Sequence, residues 1–410
     1  MSNTQKKNVP ELRFPGFEGE WEEKKLGDVA TFAKGKLGAK KDVSQNGVPI
    51  ILYGELYTKY GAIVSKIFSK TDIPENKLKI AKKNDVLIPS SGETAIDIAT
   101  ASCIYLNKGV AVGGDINILT PQKQDDRFIS LSINGINKNE LSKYAQGKTV
   151  VHLYNNDIKN LKIVFPSEFE EQVRIGDFFS KLDRQIELEE QKLELLQQQK
   201  KGYMQKIFSQ ELRFKDENGE EYPEWEEKQL GEVAEIIGGG PPSTKNKLYW
   251  NGEINWFSPI EIGNKTYVYS SQKKITEEGL RKSSAKILPV GTILFTSRAG
   301  IGKTAILAKE STTNQGFQSI VPRKGVLDSY YVYTISNILK ILAEKVSAGS
   351  TFSEISKKQM EQLNLNIPMI KEQKNISKFF SKFDNLIEIQ ERKLKLLKQQ
   401  KQGLLQKMFI

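Results

Sequence analysis

Two long stretches of the chain carry apolar residues at alternating steps of four and three. The first runs through Ile175, Phe179, Leu182, Ile186, Leu193, Leu196, Tyr203 and Ile207, with Glu189 and Lys200 as the polar members of the series. The second runs through Ile376, Phe380, Phe383, Ile387, Leu394, Leu397, Leu404 and Met408, with Gln390 and Lys401 in the matching polar places. A mean step of about 3.5 residues puts each series on one side of an α-helix and makes a seam for a partner helix. Pro166, Ser167 and Glu170 supply a start signal of the capping-box kind, and the second stretch follows Pro368 without a serine. A helix from Val173 to Phe208 is about 54 Å long at roughly 1.5 Å per residue. Either helix alone would expose its seam, so the pattern predicts an antiparallel pair with an approximate two-fold axis. Gly202 and Gly403 would each cost about 1 kcal/mol inside a helix, so their matched places predict a close backbone approach or a helix end.

Residues 31–145 and 235–347 read differently. Short β-branched runs, such as Asp85-Val-Leu-Ile88 and Thr292-Ile-Leu-Phe295, are broken by Gly, Pro, Asn and Ser. They predict mixed short strands with some helix and no sustained helical period.

The chain is also written twice. Trp21-Glu-Glu-Lys-Lys-Leu-Gly-Asp-Val-Ala30 returns as Trp225-Glu-Glu-Lys-Gln-Leu-Gly-Glu-Val-Ala234, and Glu11-Leu-Arg-Phe14 as Glu211-Leu-Arg-Phe214. Phe178-Phe-Ser-Lys-Leu-Asp183 returns as Phe379-Phe-Ser-Lys-Phe-Asp384, and Gly147-Lys-Thr149 parallels Gly349-Ser-Thr351. The edges of the halves match closely and the middles only in outline, so one scaffold presents two different working surfaces.

Composition narrows the function. With 410 residues, 61 Lys+Arg against 50 Asp+Glu and a net charge of +11, the chain is a basic globular protein of two or three domains. Lysines suit phosphates as mobile point charges, while arginine reads guanine in two-pronged fashion. One cysteine, Cys103, excludes an internal disulfide, and one histidine, His152, excludes paired-histidine zinc motifs. No apolar run approaches the roughly 20 residues of a spanning helix, and Met1–Asn8 is polar and expected to fray. The reading is a soluble, cytoplasmic protein.

Catalytic motifs fail on inspection. Ser297-Arg-Ala-Gly-Ile-Gly-Lys-Thr304 is close to a phosphate-binding loop but has Ser297 where that pattern requires glycine. It retains backbone amides, Arg298 and Lys303 for the phosphates of another polyanion. Gly240-Pro-Pro-Ser243 lacks the amide and the aromatic of an amino-methylating tetrapeptide. Glu22-Glu-Lys24 and Glu226-Glu-Lys228 match nuclease carboxylate–lysine pairs only in composition, and lie beside a repeated tryptophan that reads as packing. Glu354 stands where His152 stands in the other half, which leaves a nucleophile–histidine pair without support.

Two half-chains, each a variable β-rich segment followed by a long helix, resemble the DNA-specificity subunit of type I restriction–modification enzymes. The resemblance rests on Gly238-Gly-Gly-Pro-Pro-Ser-Thr244, Tyr249-Trp-Asn-Gly-Glu-Ile-Asn-Trp256, Thr296-Ser-Arg-Ala-Gly-Ile-Gly302, Asn314-Gln-Gly-Phe317, and Gly349-Ser-Thr351 leading to Leu365-Asn-Ile-Pro368. In the first half Gly47-Val-Pro-Ile50, Glu55-Leu56 and Gly113-Gly-Asp115 stand in for these. The resemblance implies an α+β fold: two mixed β-rich target-recognition domains joined by two long antiparallel coiled-coil helices in a pseudo-two-fold internal repeat. It divides the chain into a tail (1–14), a first recognition domain (15–165), a spacer helix (166–210), a second recognition domain (211–367) and a second spacer helix (368–410).

The resemblance further implies a non-catalytic subunit that reads a two-part asymmetric site in double-stranded DNA. Two methyltransferase subunits would dock on it, and restriction subunits would join the full complex. S-adenosylmethionine, ATP and magnesium are expected on those partners, and no cofactor, metal or membrane on this chain. Half-sites one helical turn apart are separated by about 34–36 Å, a gap that a brace of about 54 Å can span. The expected DNA contacts in the second half are Ser243, Thr244, Lys245, Asn246, Lys247 and Tyr249, with Ser297, Arg298 and Lys303 in the glycine-rich turn. In the first half they are Lys34, Lys36, Lys40 and Lys41, with Ser90 and Ser91 in the equivalent turn. Trp225, Trp250 and Trp256 are expected to pack rather than stack on bases. The competing reading is a coiled-coil interaction scaffold whose lysines bind no DNA.

Overall fold

The computed structural model describes residues 8–298, 300–347 and 354–410. Gly349-Ser-Thr351, Ala299 of the glycine-rich turn and the first seven residues of the tail lie outside that set. The chain falls into two compact units, Met1–Lys192 with Gln390–Ile410, and Leu193–Ile389.

Short strands broken by turns build the first unit, as the β-branched runs predict. Its five-stranded sheet has the order Ala30–Lys34, Ile116–Pro121, Val86–Pro89, Ser102–Ile104, Ile63–Val64. A second sheet has the order Val43–Ser44, Ser69–Thr71, Val48–Ile51, Val110–Val112, Lys79–Ala81. Glu22–Lys25 pairs antiparallel with Lys162–Phe165, which makes the repeated Glu-Glu-Lys segment an edge ribbon.

The second unit repeats the main sheet and the edge ribbon strand for strand. Its main sheet has the order Ala234–Gly238, Gln318–Pro322, Ile293–Phe295, Thr304–Leu307, Tyr267–Val268, and Glu226–Gln229 pairs with Asn364–Ile367. Its smaller sheet keeps only three strands, Lys273–Ile275, Trp250–Phe257 and Thr312–Thr313. Of the two additional edge strands of the first unit, Lys79–Ala81 is reduced in the second to the single bridge Leu288–Ser311, and Val43–Ser44 has no counterpart strand among the described residues. A 12-residue helix, Ser336–Ser347, also stands where the sequence shows no sustained period.

The long helices are Phe169–Phe208 and Ile370–Met408. Each begins in one unit and ends in the core of the other. Met408 and Phe409 are buried in the first unit, where Phe409 meets Phe128 at 4.9 Å. Ile207 is buried in the second, where Phe208 meets Phe380 and Tyr331, each at 6.2 Å. The pairing is antiparallel within each unit. In the first, Gln390 donates to Glu189 at 2.6 Å while Lys401 donates to Asp183. In the second, Lys200 donates to Asp384, whose other oxygen accepts the Tyr330 hydroxyl at 2.7 Å. All four polar seam positions are therefore partnered across the pair. An apolar residue there would tolerate a slipped register, whereas these side chains hold their partners only in this one.

Two expectations at the helices are corrected. Ser167 and Glu170 make no hydrogen bond to each other among the described residues; the helix starts at Phe169, and Gln172 turns back to donate to the Pro166 carbonyl at 3.2 Å. Gln373 does the same to Pro368 at 2.8 Å. Gly202 and Gly403 lie inside the helices with nothing within 4 Å of the place a Cβ would take, so neither marks a close approach or an end.

Candidate nucleic-acid interface

In the first unit the strand Ala30–Lys34 leads into a loop held against its neighbour. The Gly35 amide donates to Ile116 at 2.8 Å, and a Cβ on Gly35 would lie 1.9 Å from the Gly113 carbonyl oxygen. Only glycine permits that approach. Leu37 and Gly38 then take positive φ, and the Asp42 carboxylate accepts the Ala39 amide at 2.8 Å. Lys34, Lys36, Lys40 and Lys41 stand exposed on this braced loop, and none makes an ion pair among the described residues.

Three further segments meet at the same end of the sheet. Ser90 donates its amide to Asp115 at 2.9 Å and accepts the Leu153 amide at 3.1 Å. Asn117 donates to the Leu153 carbonyl at 2.8 Å, and Asn155 to the Ala33 carbonyl at 3.0 Å. Beside this junction Gln146 and His152 exchange backbone hydrogen bonds at 2.9 and 2.7 Å, closing a hairpin whose tip exposes Lys148, Thr149 and Val150. The His152 ring lies 6.1 Å from that of exposed Tyr154, and its Nδ1 is 3.1 Å from the Ser91 hydroxyl. Lys148, Thr149 and Tyr154 are additions to the sequence-derived set. The Gly147-Lys-Thr149 repeat is the signal that marks this hairpin.

The second unit has the same junction. Ser297 donates its amide to Gly316 and accepts that of Ile355, both at 2.9 Å, as Ser90 does with Asp115 and Leu153. Around it the loops differ. Gly239 and Gly240 pass so close to Thr313 that a Cβ on Gly239 would sit 2.2 Å from its carbonyl oxygen. The indoles of Trp256 and Trp250 then donate to the carbonyls of Gly240 and Ser243 at 3.1 and 3.2 Å, edge to face with each other at 5.1 Å. The tryptophans thus pin the loop from inside. Ser243, Thr244, Lys245 and Lys247 are exposed on it. Asn246 is half-buried, its side-chain oxygen accepting the Leu248 amide at 3.0 Å, and Tyr249 is half-buried beside it.

The glycine-rich turn is a β-hairpin. Ile293–Phe295 and Thr304–Leu307 pair antiparallel, and Thr296 closes the turn by donating its amide to Lys303 at 3.0 Å and its hydroxyl to Gly300 at 2.7 Å. A phosphate-binding loop must open a helix, whose amide-bearing N-terminus faces the anion. Here a strand follows, so that arrangement is absent from the turn. Lys303 is exposed and Arg298 half-buried, paired through its backbone with Glu354.

Three expected contacts are corrected by burial. Ser90 is 3%, Ser91 8% and Ser297 0% exposed. Their short side chains belong to the junction and present nothing to a ligand in solvent. The remaining candidates gather at one end of the main sheet in each unit, where Lys34, Lys36, Lys40, Lys41 and Lys148, or Lys245, Lys247, Arg298 and Lys303, present positive charge.

A cavity of about 690 Å³ opens at the opposite end of the first unit's sheet, lined by Lys83, Tyr105, Asp126, Arg127 and Phe169 among others. Burial, and next the charge of Asp125, pushes the Asp126 carboxyl up to about 6. Cys103 beside it is buried and its thiol is held well above its usual range, foremost by that burial.

Residues 18–198 and 222–399 each match the type I restriction modification DNA specificity domain. The chain is 38% identical over 198 residues to the type I restriction enzyme MjaIX specificity subunit of Methanocaldococcus jannaschii, covering 46% of this chain and 45% of that protein. It is 33% identical over 253 residues to the EcoR124I/EcoR124II specificity subunit of Escherichia coli, covering 60% of this chain and 58% of that one. These matches thus span about half the length of each relative. A putative MjaX specificity subunit of M. jannaschii matches at 26% over 94% of this chain and 92% of its own. In fold, the chain is similar to a type I restriction–modification S subunit from M. genitalium, with a TM-score of 0.66 and 17% identity over 98% of this chain and 99% of that one. Among the described residues no helix is long and apolar enough to cross a membrane. With both halves matched by one family and the same sheet built twice, the chain belongs to the type I restriction–modification DNA specificity family.

Proposed function

We propose that this chain is the DNA-recognition subunit of a type I restriction–modification complex, each unit reading one part of a two-part asymmetric duplex site. One observation carries the reading: equivalent sheets end in the same junction, at Ser90 and at Ser297, yet surround it with different cationic loops. A scaffold that needed its lysines only for solubility would have no reason to keep the junction while changing the loops that follow the strands Ala30–Lys34 and Ala234–Gly238. Exposed lysines neutralise phosphates, and Ser243, Thr244 and Arg298 have the donors and acceptors for phosphates and base edges. Catalysis is assigned to partners: two methyltransferase subunits with S-adenosylmethionine, and restriction subunits with ATP and magnesium. The names of the relatives, each a specificity subunit of a restriction enzyme, support that division of labour. The complex would work in the cytoplasm, where DNA is.

The test is a reader exchange. Residues 31–154 are replaced by the corresponding segment of a different specificity subunit, and methylated adenines are mapped in a genome carrying the complex. One half of the recognised sequence should change while the other stays. A change in both halves would refute modular reading, and a complex that binds no duplex at any salt concentration would favour the interaction scaffold.

A further inference from the structure

Ile260 is 83% exposed on the turn Pro259–Glu261, directly after the strand Trp250–Phe257. Water gives an aliphatic side chain of this size no reward, and the turn is not a loose one. The Ser258 amide and hydroxyl donate to Glu261 Oε1 at 2.9 and 2.8 Å, and the Gln272 amide donates to Oε2 at 2.6 Å. Pro259 packs on Gly316, where a Cβ would meet the proline Cγ at 2.8 Å, and the Gly316 carbonyl is the one that accepts the Ser297 amide. On the far side of the turn, a Cβ on Gly263 would meet the Lys303 stem at 3.3 Å, so the turn passes close to that side chain. The isoleucine is therefore held rigidly beside the junction, next to the hairpin that carries Arg298 and Lys303.

The first unit builds the same support and projects something else. After the strand Val48–Ile51, the Glu55 carboxylate accepts the Leu52 amide at 3.2 Å, as Glu261 accepts that of Ser258, and receives the Ser69 hydroxyl at 2.6 Å. Gly54 occupies the place of Ile260. The bracing glutamate, buried as Glu55 and half-buried as Glu261, is common to both units and the projecting residue is not, which is the distribution expected of a residue that discriminates.

Resting on the DNA-recognition reading above, we propose that Ile260 contacts the 5-methyl group of a thymine in the half-site read by the second unit. That methyl is the apolar feature of base edges in the major groove, and cations on the neighbouring hairpin bring the duplex to this turn.

Once the site is known, each thymine of that half-site is replaced in turn by uracil, which pairs identically and lacks only the methyl. Binding is measured with the full chain assembled with its methyltransferase subunits. The expected result is one position at which uracil weakens binding about fourfold, the worth of roughly one buried methyl. Ile260→Ala should abolish that sensitivity and Ile260→Leu should retain it, both binding the uracil duplex equally well. A half-site without an A·T pair, no sensitive position, or sensitivity that survives Ile260→Ala would overturn the proposal. So would an Ile260→Ala chain that reads DNA normally but assembles poorly, which would make the residue a protein contact. A wild-type complex that binds no duplex would remove the parent reading as well, and is distinguished by losing the binding altogether.

Discussion

Arg13 makes two parallel hydrogen bonds to Glu171, Nε to Oε1 and Nη2 to Oε2, each 2.7 Å. The Glu171 side chain is 1% exposed and lies in the first turn of the first long helix, so this pair ties the segment before the first unit's edge ribbon to the helix. Arg13→Met removes the charge and both bonds. Among the described residues nothing else donates to Glu171, and breaking a buried pair by removing one partner costs about 3–5 kcal/mol. The second unit offers an internal control. Arg213 meets Glu372 at 2.8 and 3.2 Å, but Glu372 also accepts the Trp225 indole at 3.1 Å. The equivalent Trp21 nitrogen is buried without a partner. Arg213→Met should therefore cost about 1–2 kcal/mol less than Arg13→Met, because one hydrogen bond to the stranded charge survives. The double variant Arg13→Met with Glu171→Met should recover most of the loss, since an apolar pair of similar volume leaves no charge behind. Urea-dependent hydrogen exchange, resolved to peptides of each unit, reads the three stabilities separately. An Arg13→Met protein within 1 kcal/mol of the parent, or a double variant no better than the single, would refute the reasoning.

Two further outcomes follow from the charges. The folded first unit holds the Asp126 carboxyl at about 6, above its unfolded value, so between about pH 4 and 6 the folded chain binds more protons than the unfolded one and stability falls as pH rises. Asp126→Asn should flatten that decline, worth at most about 3 kcal/mol, in a pH series of urea melts; an unchanged slope would show that the carboxyl is not buried in this way. Replacing Lys34, Lys36, Lys40 and Lys41 together by glutamine should lower the slope of log binding constant against log salt by about 3–4, without altering the sequence recognised. A slope within error of the parent would place the DNA elsewhere on the first unit.

The helices were legible because their signal is local. A seam spaced by three and four residues depends only on the geometry of one helix, and each of its four polar positions, Glu189, Lys200, Gln390 and Lys401, has a partner across the pair. The duplication needed no coordinates either, since it is identity along the chain. Burial at a turn is another matter. Ser90 and Ser91 sit in a polar, turn-rich stretch that looks exposed, and become interior because Leu153 and His152, some sixty residues later, close over them. Ser297 is enclosed by Ile355 and Gly316 in the same manner. Tertiary pairing likewise turned the phosphate-loop look-alike into a hairpin, by placing a strand after it where the phosphate motif requires a helix. Ile260 is the reverse case: an apolar residue that no motif or period singles out, exposed on a turn whose Pro259 packs on the distant Gly316. Sequence alone thus determined the repeat, the helices and the family, because periodicity and identity are written residue by residue. The tertiary structure decided which side chains solvent can reach, because that depends on distant segments of chain that no local window contains.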